Sequence, residues 1–293
     1  MNGEKADKLL DILKVTVDFL KRKGVEEPRL NAELMLCEVL NYDRLSLYIN
    51  FDRPLTNREK EKYKELIIRR INKEPLQYIL GKVNFFGYNF IVNKNVLIPR
   101  PETEYLIEKS LSEIKNDKLN KFDILEIGTG SGCISISLSK EMDKSNLNYK
   151  ITAIDSSKSA VELALKNSEL NNIKDDKVIF QVKDIFDDDI NFDSYNIIIS
   201  NPPYVSYQEY RCLPEEIRLF EPPNALTDFE DGLKYYRRIL NLLSQNDRKC
   251  ICLLEIGYNQ KTELEKLLSL YRLQNYKFEL DLNKQFRYLI IHK

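Results

Sequence analysis

The sequence has almost no histidine. The one that is present, His292, is the penultimate of 293 residues. Serine-histidine and cysteine-histidine nucleophilic sites, and metal sites with histidine ligands, all need an imidazole beside the reacting atoms. These sites are therefore close to excluded, and the chemistry has to come from carboxylates, amides, tyrosines or a cofactor.

Paired cysteines are also lacking. The five cysteines are an odd number without the paired spacing of a metal site. Buried, reduced thiols are the preferred interpretation, and no metal is expected. The cysteines are Cys37, Cys133, Cys212, Cys250 and Cys252.

Excess charge and long apolar runs are absent too. The formal net charge is -1, which argues against a general polyanion binder because such proteins neutralise phosphates with many Lys and Arg residues. No apolar run approaches the ~20 residues that span a bilayer, and the first 14 residues are too charged for a signal peptide. We expect a monomeric cytoplasmic protein without a nucleic-acid or membrane partner.

Three regions follow one another along the chain. Residues 1–72 show apolar residues at helical spacing and a Thr-x-x-Glu capping box at Thr56, which predicts a small helical bundle. Residues 73–104 contain alternating apolar residues around Gly87 and are interpreted as a hairpin-like connector. In residues 105–293 strands alternate with helices, which predicts an α/β domain with a doubly wound, Rossmann-like sheet of seven strands. The strands are expected at 122–127, 151–154, 178–182, 195–200, 250–255, 278–282 and 288–291.

A glycine-rich loop follows the first of these strands. Glu126 precedes Gly128, Thr129, Gly130 and Gly132, and alternate glycines let the backbone approach a ligand closely. The dinucleotide fingerprint would require a glycine at Cys133. Gly-x-Gly-x-Gly after an acid is instead typical of S-adenosylmethionine sites.

Two acidic residues end the next two strands. Asp155 is placed to accept both hydroxyls of a ribose, although it could simply cap the helix that begins near Ser157. Asp184 is predicted to accept the exocyclic amine of adenine, with Phe186 as an apolar wall. The alternative is that Asp184 is a loop carboxylate in an acidic run.

The fourth strand ends in Asn201, Pro202, Pro203 and Tyr204. Proline cannot continue the hydrogen-bond ladder, so the chain leaves the sheet here. The Asn201 side-chain oxygen and the Pro202 carbonyl are both acceptors that could hold a planar NH2 group, and Tyr204 could stack on it. An ordinary strand-terminating turn would use the same residue types.

The usual 3-2-1-4-5 strand order would place this turn beside the glycine loop. A cofactor that delivers a group onto an NH2 bound at the turn would explain why the turn and the glycine loop lie side by side. Arg100 lies between two prolines that fix its path, and is interpreted either as a pocket wall or as a surface charge.

Taken together, these motifs resemble the HemK/PrmC family of protein-(glutamine-N5) methyltransferases, which modify peptide chain release factors. The resemblance covers nearly the whole chain. It rests on the segments 74–81, 96–104, 126–132, 200–204, 220–222, 225–226 and 231–233.

The resemblance implies a class I S-adenosylmethionine-dependent methyltransferase fold and a helical N-terminal domain that docks the release factor. Its Gly-Gly-Gln loop would enter the catalytic domain, where Arg100 and residues 201–204 would bind the substrate. Asn201, Pro202 and Tyr204 would be catalytic, and cofactor binding would fall to Glu126, Gly128, Thr129, Gly130, Gly132, Asp155, Asp184, Phe186 and Asn201.

Two segments depart from the family pattern. Residues 227–230 replace a glycine-rich turn, and residues 283–287 lack the usual glycine. Three alternatives stay open: an adenine-N6 DNA methyltransferase, a glutamine methyltransferase acting on a ribosomal protein, and an inactive adaptor that keeps only the fold.

Overall fold

The protein is described by a computed structural model that covers residues 8–116 and 119–293. Residues 1–7 of the predicted N-terminal domain lie outside the described part. The helices are α1 Leu9–Arg22, α2 Pro28–Leu40, α3 Arg44–Ile49, α4 Asn57–Ile71, α5 Leu76–Leu80, α6 Pro101–Asn116, α7 Cys133–Lys144, α8 Lys158–Leu170, α9 Tyr207–Cys212, α10 Glu215–Phe220, α11 Lys234–Gln245 and α12 Lys261–Leu270. The strands are β1 Lys82–Phe85, β2 Tyr88–Ile91, β3 Phe122–Ile127, β4 Tyr149–Asp155, β5 Val178–Val182, β6 Ile197–Ser200, β7 Ile251–Glu255, β8 Tyr276–Leu280 and β9 Phe286–His292.

The chain divides into two compact units. The first comprises the described residues up to Gly81 together with Glu215–Phe220, and the second comprises Lys82–Pro214 and Glu221–Lys293. The domain boundaries after residues 72 and 104 stay predictions.

The N-terminal unit has its own apolar core, formed by residues such as Leu20, Met35 and Tyr63. The predicted capping box is confirmed: the Glu59 backbone N-H donates to the Thr56 side chain, while the Glu59 carboxylate accepts from the Thr56 backbone N-H. Helix α5 was not predicted. Residues 76–80 were assigned to the connector, but Pro75 precedes a helical turn there that ends at Gly81, whose φ of 69° suits glycine.

The second unit is built on a seven-stranded sheet. The order is β5-β4-β3-β6-β7-β9-β8, in which β9 runs antiparallel to both β7 and β8 while the other neighbouring pairs are parallel. The predicted placement of the first and fourth strands of this sheet as neighbours is confirmed, since β3 pairs with β6. Two apolar clusters contain alternate residues of β3, Leu125 and Ile127 in one and Ile124 in the other, as expected for a sheet covered on both faces.

Several predicted element boundaries in this unit were wrong by one to three residues, and two of them have a clear cause in the neighbouring loops. The helix expected from Asp231 begins at Lys234, because the Asp228 and Asp231 carboxylates accept backbone N-H groups of the preceding loop. The strand expected at 278–282 ends at Leu280, because Asp281 accepts the backbone N-H groups of Asn283 and Gln285 and so closes a turn.

Both departures from the family pattern contain a residue in the left-handed region. Phe229 and Lys284 each have φ of 60°. A side chain in this conformation costs roughly 1 kcal/mol relative to glycine. Both segments therefore hold a backbone conformation that glycine adopts more readily, at some cost in stability.

Lys284→Gly is expected to raise the free energy of unfolding by about 1 kcal/mol, because glycine adopts positive φ without strain. Chemical denaturation monitored by circular dichroism measures the change. Asn283→Gly is the matched control: this neighbour is also exposed but is not among the residues with positive φ, so it should gain nothing. Equal gains in both variants would contradict the assignment.

Candidate active site

A cavity of about 300 Å³ lies at the carboxyl ends of the central strands. Ile127 of β3 pairs with Ile154 of β4 on one side and with Ser200 of β6 on the other. The residues that follow these strands therefore meet at one place, where the strand order reverses. Gly128, Asp155 and Asn201 all line the cavity, so the structure brings the three predicted segments together.

The glycine loop forms one wall of the cavity. Gly128 has φ of 75° and Gly130 has φ of 54°, and a Cβ added to either would meet no atom within 4 Å. The glycines are therefore needed for backbone conformation, and the open space beside them is where a ligand can approach the main chain. Thr129 also lines this wall.

Gly132 has a different environment. It does not line the cavity, and a Cβ there would lie 3.0 Å from Ile136 Cδ1 and 3.1 Å from Ala164 Cβ. The absence of a side chain allows the start of α7 to pack against α8. This contact supports the loop from behind.

Glu126 lies behind the loop on β3. Its side chain is buried, Oε2 accepts a hydrogen bond of 2.8 Å from Thr129 Oγ1, and Oε1 has no hydrogen-bond partner among the described residues. Burial raises the pKa of Glu126 to about 7. The carboxyl thus links β3 to the loop while it resists ionisation.

Glu126→Gln is expected to become more stable relative to the unchanged protein as pH rises from about 4.5 to 7.5. Glu126 binds its proton more tightly in the folded state, so its contribution to stability is full at low pH and is lost as the group ionises. Since the pKa is raised to about 7, the difference in unfolding free energy should grow by up to roughly 3 kcal/mol. Denaturation at several pH values measures it, and a constant difference would contradict the burial argument.

Asp155 ends β4 and faces the cavity. Its Oδ2 accepts from the Gly130 backbone N-H at 2.8 Å and its Oδ1 from the Ser157 backbone N-H at 2.9 Å. The N-cap of α8 is Ser157, whose side chain accepts from Ala160, so the alternative of Asp155 as a mere helix cap is wrong. Each carboxylate oxygen has acceptor capacity left for a hydroxyl group.

The loop after β5 contributes Asp184 to the cavity lining. Asp184 Oδ1 accepts from the Phe186 backbone N-H at 3.0 Å. Phe186 itself does not line the cavity; its ring packs edge-on against Tyr235, with centroids 5.4 Å apart, and Tyr235 does line it. Sequence reasoning missed Tyr235, although an aromatic residue in the first turn of a helix that follows a loop was an available signal.

Asn201 presents its carboxamide to the cavity together with Pro202 and Pro203. Asn201 Nδ2 donates to Thr103 Oγ1 at 3.1 Å, and Thr103 Oγ1 donates to Glu255 Oε2 at 2.7 Å. Tyr204 is not part of the cavity lining; its hydroxyl donates to Glu255 Oε1 at 3.3 Å. The predicted stacking role of Tyr204 stays a prediction.

Thr103 and Glu255 were not recognised from the sequence. Thr103 lies in the segment 96–104 that carried the family resemblance, and Glu255 is an acid at the carboxyl end of β7. Both features were signals in the sequence, but Thr103 and Glu255 lie near Asn201 only because α6 packs near β7.

Arg100 lines the cavity and is also tied to a buried acid. Its Nη2 lies 2.5 Å from Glu221 Oε1, and the Glu221 side chain is 1% exposed. Arg100 is therefore a pocket wall with a neutralised charge, and not a surface charge. Glu221 also accepts from the Ile98 backbone N-H at 3.4 Å, so it fixes the segment on both sides of Pro99.

Within residues 8–116 and 119–293 there is no cluster of three or more His, Cys, Asp or Glu side chains that could hold a metal ion. In the same residues, no helix is long and apolar enough to cross a membrane.

Comparison with known proteins identifies both parts of the chain. Residues 11–81 match the model of the PrmC N-terminal domain, and residues 118–288 match that of a methyltransferase domain.

Curated relatives match most of the chain. A release factor glutamine methyltransferase of Fusobacterium nucleatum is 38% identical over 92% of this chain and 75% of its own length. The same-named proteins of Chlorobaculum tepidum and Clostridium botulinum are 37% and 35% identical, over 82% and 90% of this chain and 81% and 91% of theirs.

The cavity fits the cofactor of such enzymes, since it offers open backbone at two glycines and a carboxylate with free acceptor capacity. The chain is an S-adenosylmethionine-dependent methyltransferase with a class I fold. It belongs to the release factor glutamine methyltransferase family.

Proposed function

We propose that this enzyme methylates the side-chain nitrogen of the glutamine in the Gly-Gly-Gln motif of peptide chain release factors. The observation that supports the proposal most is the position of Asn201. Its carboxamide lines the same cavity as Gly128 and Asp155, so a planar amide bound to Asn201 would lie against the cofactor wall. The names of the relatives supply the identity of the substrate.

Binding of the cofactor is assigned to residues at the ends of β3, β4 and β5. Asp155 would accept the ribose hydroxyls, the backbone at Gly128, Thr129 and Gly130 would lie along the ligand, and Asp184 would accept the adenine amine. Glu126 and Gly132 would hold the loop from behind, and Phe186 would act through its contact with Tyr235. S-adenosylmethionine supplies a methyl group activated by its sulfonium sulfur.

Substrate binding is assigned to the turn after β6. An amide nitrogen is a poor nucleophile because its lone pair is delocalised into the carbonyl. Asn201 Oδ1 and the Pro202 carbonyl would accept the two N-H bonds and aim the nitrogen at the methyl carbon. Methyl transfer would form the nitrogen-carbon bond and break the sulfur-carbon bond, with S-adenosylhomocysteine as the leaving group and one N-H proton released to solvent. Orientation alone can contribute up to ~7–11 kcal/mol to such a step.

The other substrate contacts follow the walls of the same cavity. Pro203 and Arg100 would flank the entering loop, with the Arg100 charge balanced by Glu221. Tyr204 would stack on the amide plane. The helical N-terminal unit would dock the body of the release factor, and the enzyme would act as a cytoplasmic monomer.

The test incubates the protein with methyl-labelled S-adenosylmethionine and, separately, with release factor, unmethylated DNA or a ribosomal protein. Purified release factor should be labelled, and mass spectrometry should place the methyl group on the glutamine of Gly-Gly-Gln. A release factor with that glutamine replaced by alanine is the matched control and should stay unlabelled. Labelling of unmethylated DNA or of a ribosomal protein in place of release factor would overturn the proposal.

A further inference from the structure

A short hydrogen-bonded chain runs from the cavity into the core behind Asn201. Asn201 Nδ2 donates to Thr103 Oγ1 at 3.1 Å, and Thr103 Oγ1 donates to Glu255 Oε2 at 2.7 Å. Thr103 is 3% exposed and Glu255 is 1% exposed. Burying a carboxyl group costs free energy. The Glu255 carboxyl is connected to the Asn201 carboxamide, the proposed substrate-binding amide, through the single hydroxyl of Thr103.

We propose that Thr103 and Glu255 are positioning residues that determine which end of the Asn201 carboxamide faces the substrate. The inference rests on the proposed function, because it concerns the same amide-binding turn.

The direction of the chain follows from counting protons. An ionised carboxylate can only accept hydrogen bonds, so the Thr103 hydroxyl has to donate its one proton to Glu255. The Thr103 oxygen can then only accept, and the atom of Asn201 that faces it has to be the NH2 group. The carboxamide oxygen is left for the cavity, and it has no hydrogen-bond partner among the residues that the structure covers.

This orientation matters because the two ends of a carboxamide are nearly equal in size. Packing alone does not distinguish oxygen from NH2. If the amide turned over, its NH2 group would face the NH2 group of a substrate glutamine, and donors would oppose donors. Both hydrogen-bonding groups would then be left unsatisfied, so the turned-over form would bind and aim the nucleophile poorly.

The ionisation of Glu255 controls the direction of this chain. Burial raises the pKa of Glu255 to about 7, while the Thr103 hydroxyl and the Arg287 charge lower it and Glu102 raises it. Above that pH the carboxylate is ionised and accepts from Thr103. Below it, a protonated Glu255 can donate to Thr103, which frees the Thr103 proton to donate to Asn201 Oδ1 and favours the turned-over amide.

The phenol groups around Glu255 are already engaged in hydrogen bonds. The Tyr204 hydroxyl donates to Glu255 Oε1, the Tyr236 hydroxyl to the Glu255 backbone carbonyl, and the Tyr288 hydroxyl to the Glu102 carbonyl. Burial raises the pKa of all three phenols, so they stay protonated donors across neutral pH. Arg287 keeps its charge, which leaves Glu255 as the group that titrates within this cluster.

The kinetic test compares three variants on a release factor substrate: Thr103→Val, Thr103→Ser and Glu255→Gln. Thr103→Val should lower kcat about 30-fold or more, as expected for about 2 kcal/mol, with S-adenosylmethionine affinity unchanged. Thr103→Ser keeps the hydroxyl and should restore kcat to within about 3-fold. Thermal unfolding and cofactor titration verify that each variant is folded.

The pH dependence of kcat distinguishes a positioning role of Thr103 and Glu255 from a role in packing alone. In the unchanged protein kcat should fall as pH drops through about 7, the pKa of Glu255. Glu255→Gln has no proton to gain there, so this acidic limb should disappear. An unaltered kcat in Thr103→Val, or an acidic limb that persists in Glu255→Gln, would overturn the inference.

A spectroscopic measurement keeps the inference testable if release factor is not a substrate at all. The side-chain amide signals of Asn201, assigned by their loss in Asn201→Ala, should shift with an apparent pKa near 7 in the protein bound to S-adenosylmethionine. Thr103→Val should abolish that shift. If the Asn201 signals of the unchanged protein do not shift with pH, the inference is contradicted. If they shift but no methyl group is transferred to release factor, only the proposed function is contradicted.

Discussion

Asn201→Ala is expected to abolish methyl transfer while cofactor binding survives. The substitution removes the Asn201 carboxamide. Its NH2 group donates to Thr103, and its oxygen faces the cavity. Loss of one preorganised hydrogen-bonding group at a reacting centre typically costs 100- to 1,000-fold in kcat, and we expect a loss of at least about that size. Single-turnover methylation of a release factor measures it, with calorimetric titration of S-adenosylmethionine alongside.

Asn224→Ala is the matched control for this variant. Asn224 also lines the cavity but is exposed and lies in the short 3-10 helix Pro223–Ala225. Its removal should change kcat by less than about 3-fold, as expected for an exposed side chain without a specific role. Full turnover by Asn201→Ala, or equal losses in both variants, would remove the basis for assigning the amide-binding role to Asn201.

Asp155→Ala should weaken S-adenosylmethionine binding by about 100-fold or more. The carboxylate is placed to accept two hydroxyl groups, and hydrogen bonds to a charged group contribute about 1.5–3 kcal/mol each. The same substitution releases the Gly130 backbone N-H, which now donates to Asp155 Oδ2 at 2.8 Å, so the glycine loop also loses an anchor. Equilibrium titration with S-adenosylmethionine gives the dissociation constant.

Asp188→Ala controls for the loss of a negative charge near the cavity. Asp188 is an exposed acid in the loop after β5 and does not line the cavity. Exposed charges are screened by solvent and salt, so its removal should change cofactor affinity less than about 2-fold. A similar weakening in both variants would mean that net charge, and not the geometry at the end of β4, determines the affinity.

The sequence predicted the sheet well because each strand carries a local signal. Buried parallel strands are rich in apolar residues, and β3 and β6 are mostly apolar stretches followed by Gly128 and by Pro202. Helix starts were harder to place. Lys234 begins α11 only because the Asp228 carboxylate, six residues earlier, accepts its backbone N-H, and no periodicity reveals such a contact.

The roles assigned to single residues were less predictable than the motifs that contain them. Gly132 and Gly128 belong to one motif, yet Gly132 packs two helices while Gly128 lines the cavity. The sequence allowed two interpretations of Arg100, as a pocket wall or as a surface charge. Its pairing with Glu221 identified it as a pocket wall. The two residues of that pair are 121 apart in the chain, so no local pattern links them.

By itself, the amino-acid sequence determined the fold class, the cofactor and the family, because glycine loops, proline-ended strands and acids at strand ends are constraints written into consecutive residues. Tertiary structure alone decided how Asn201 is held. Thr103 lies in the first turn of α6 and Glu255 ends β7, and they meet behind Asn201 only because the sheet and α6 pack together. Hydrogen-bond direction depends on such through-space neighbours, since a carboxamide or a hydroxyl has no fixed orientation until its partners are in place.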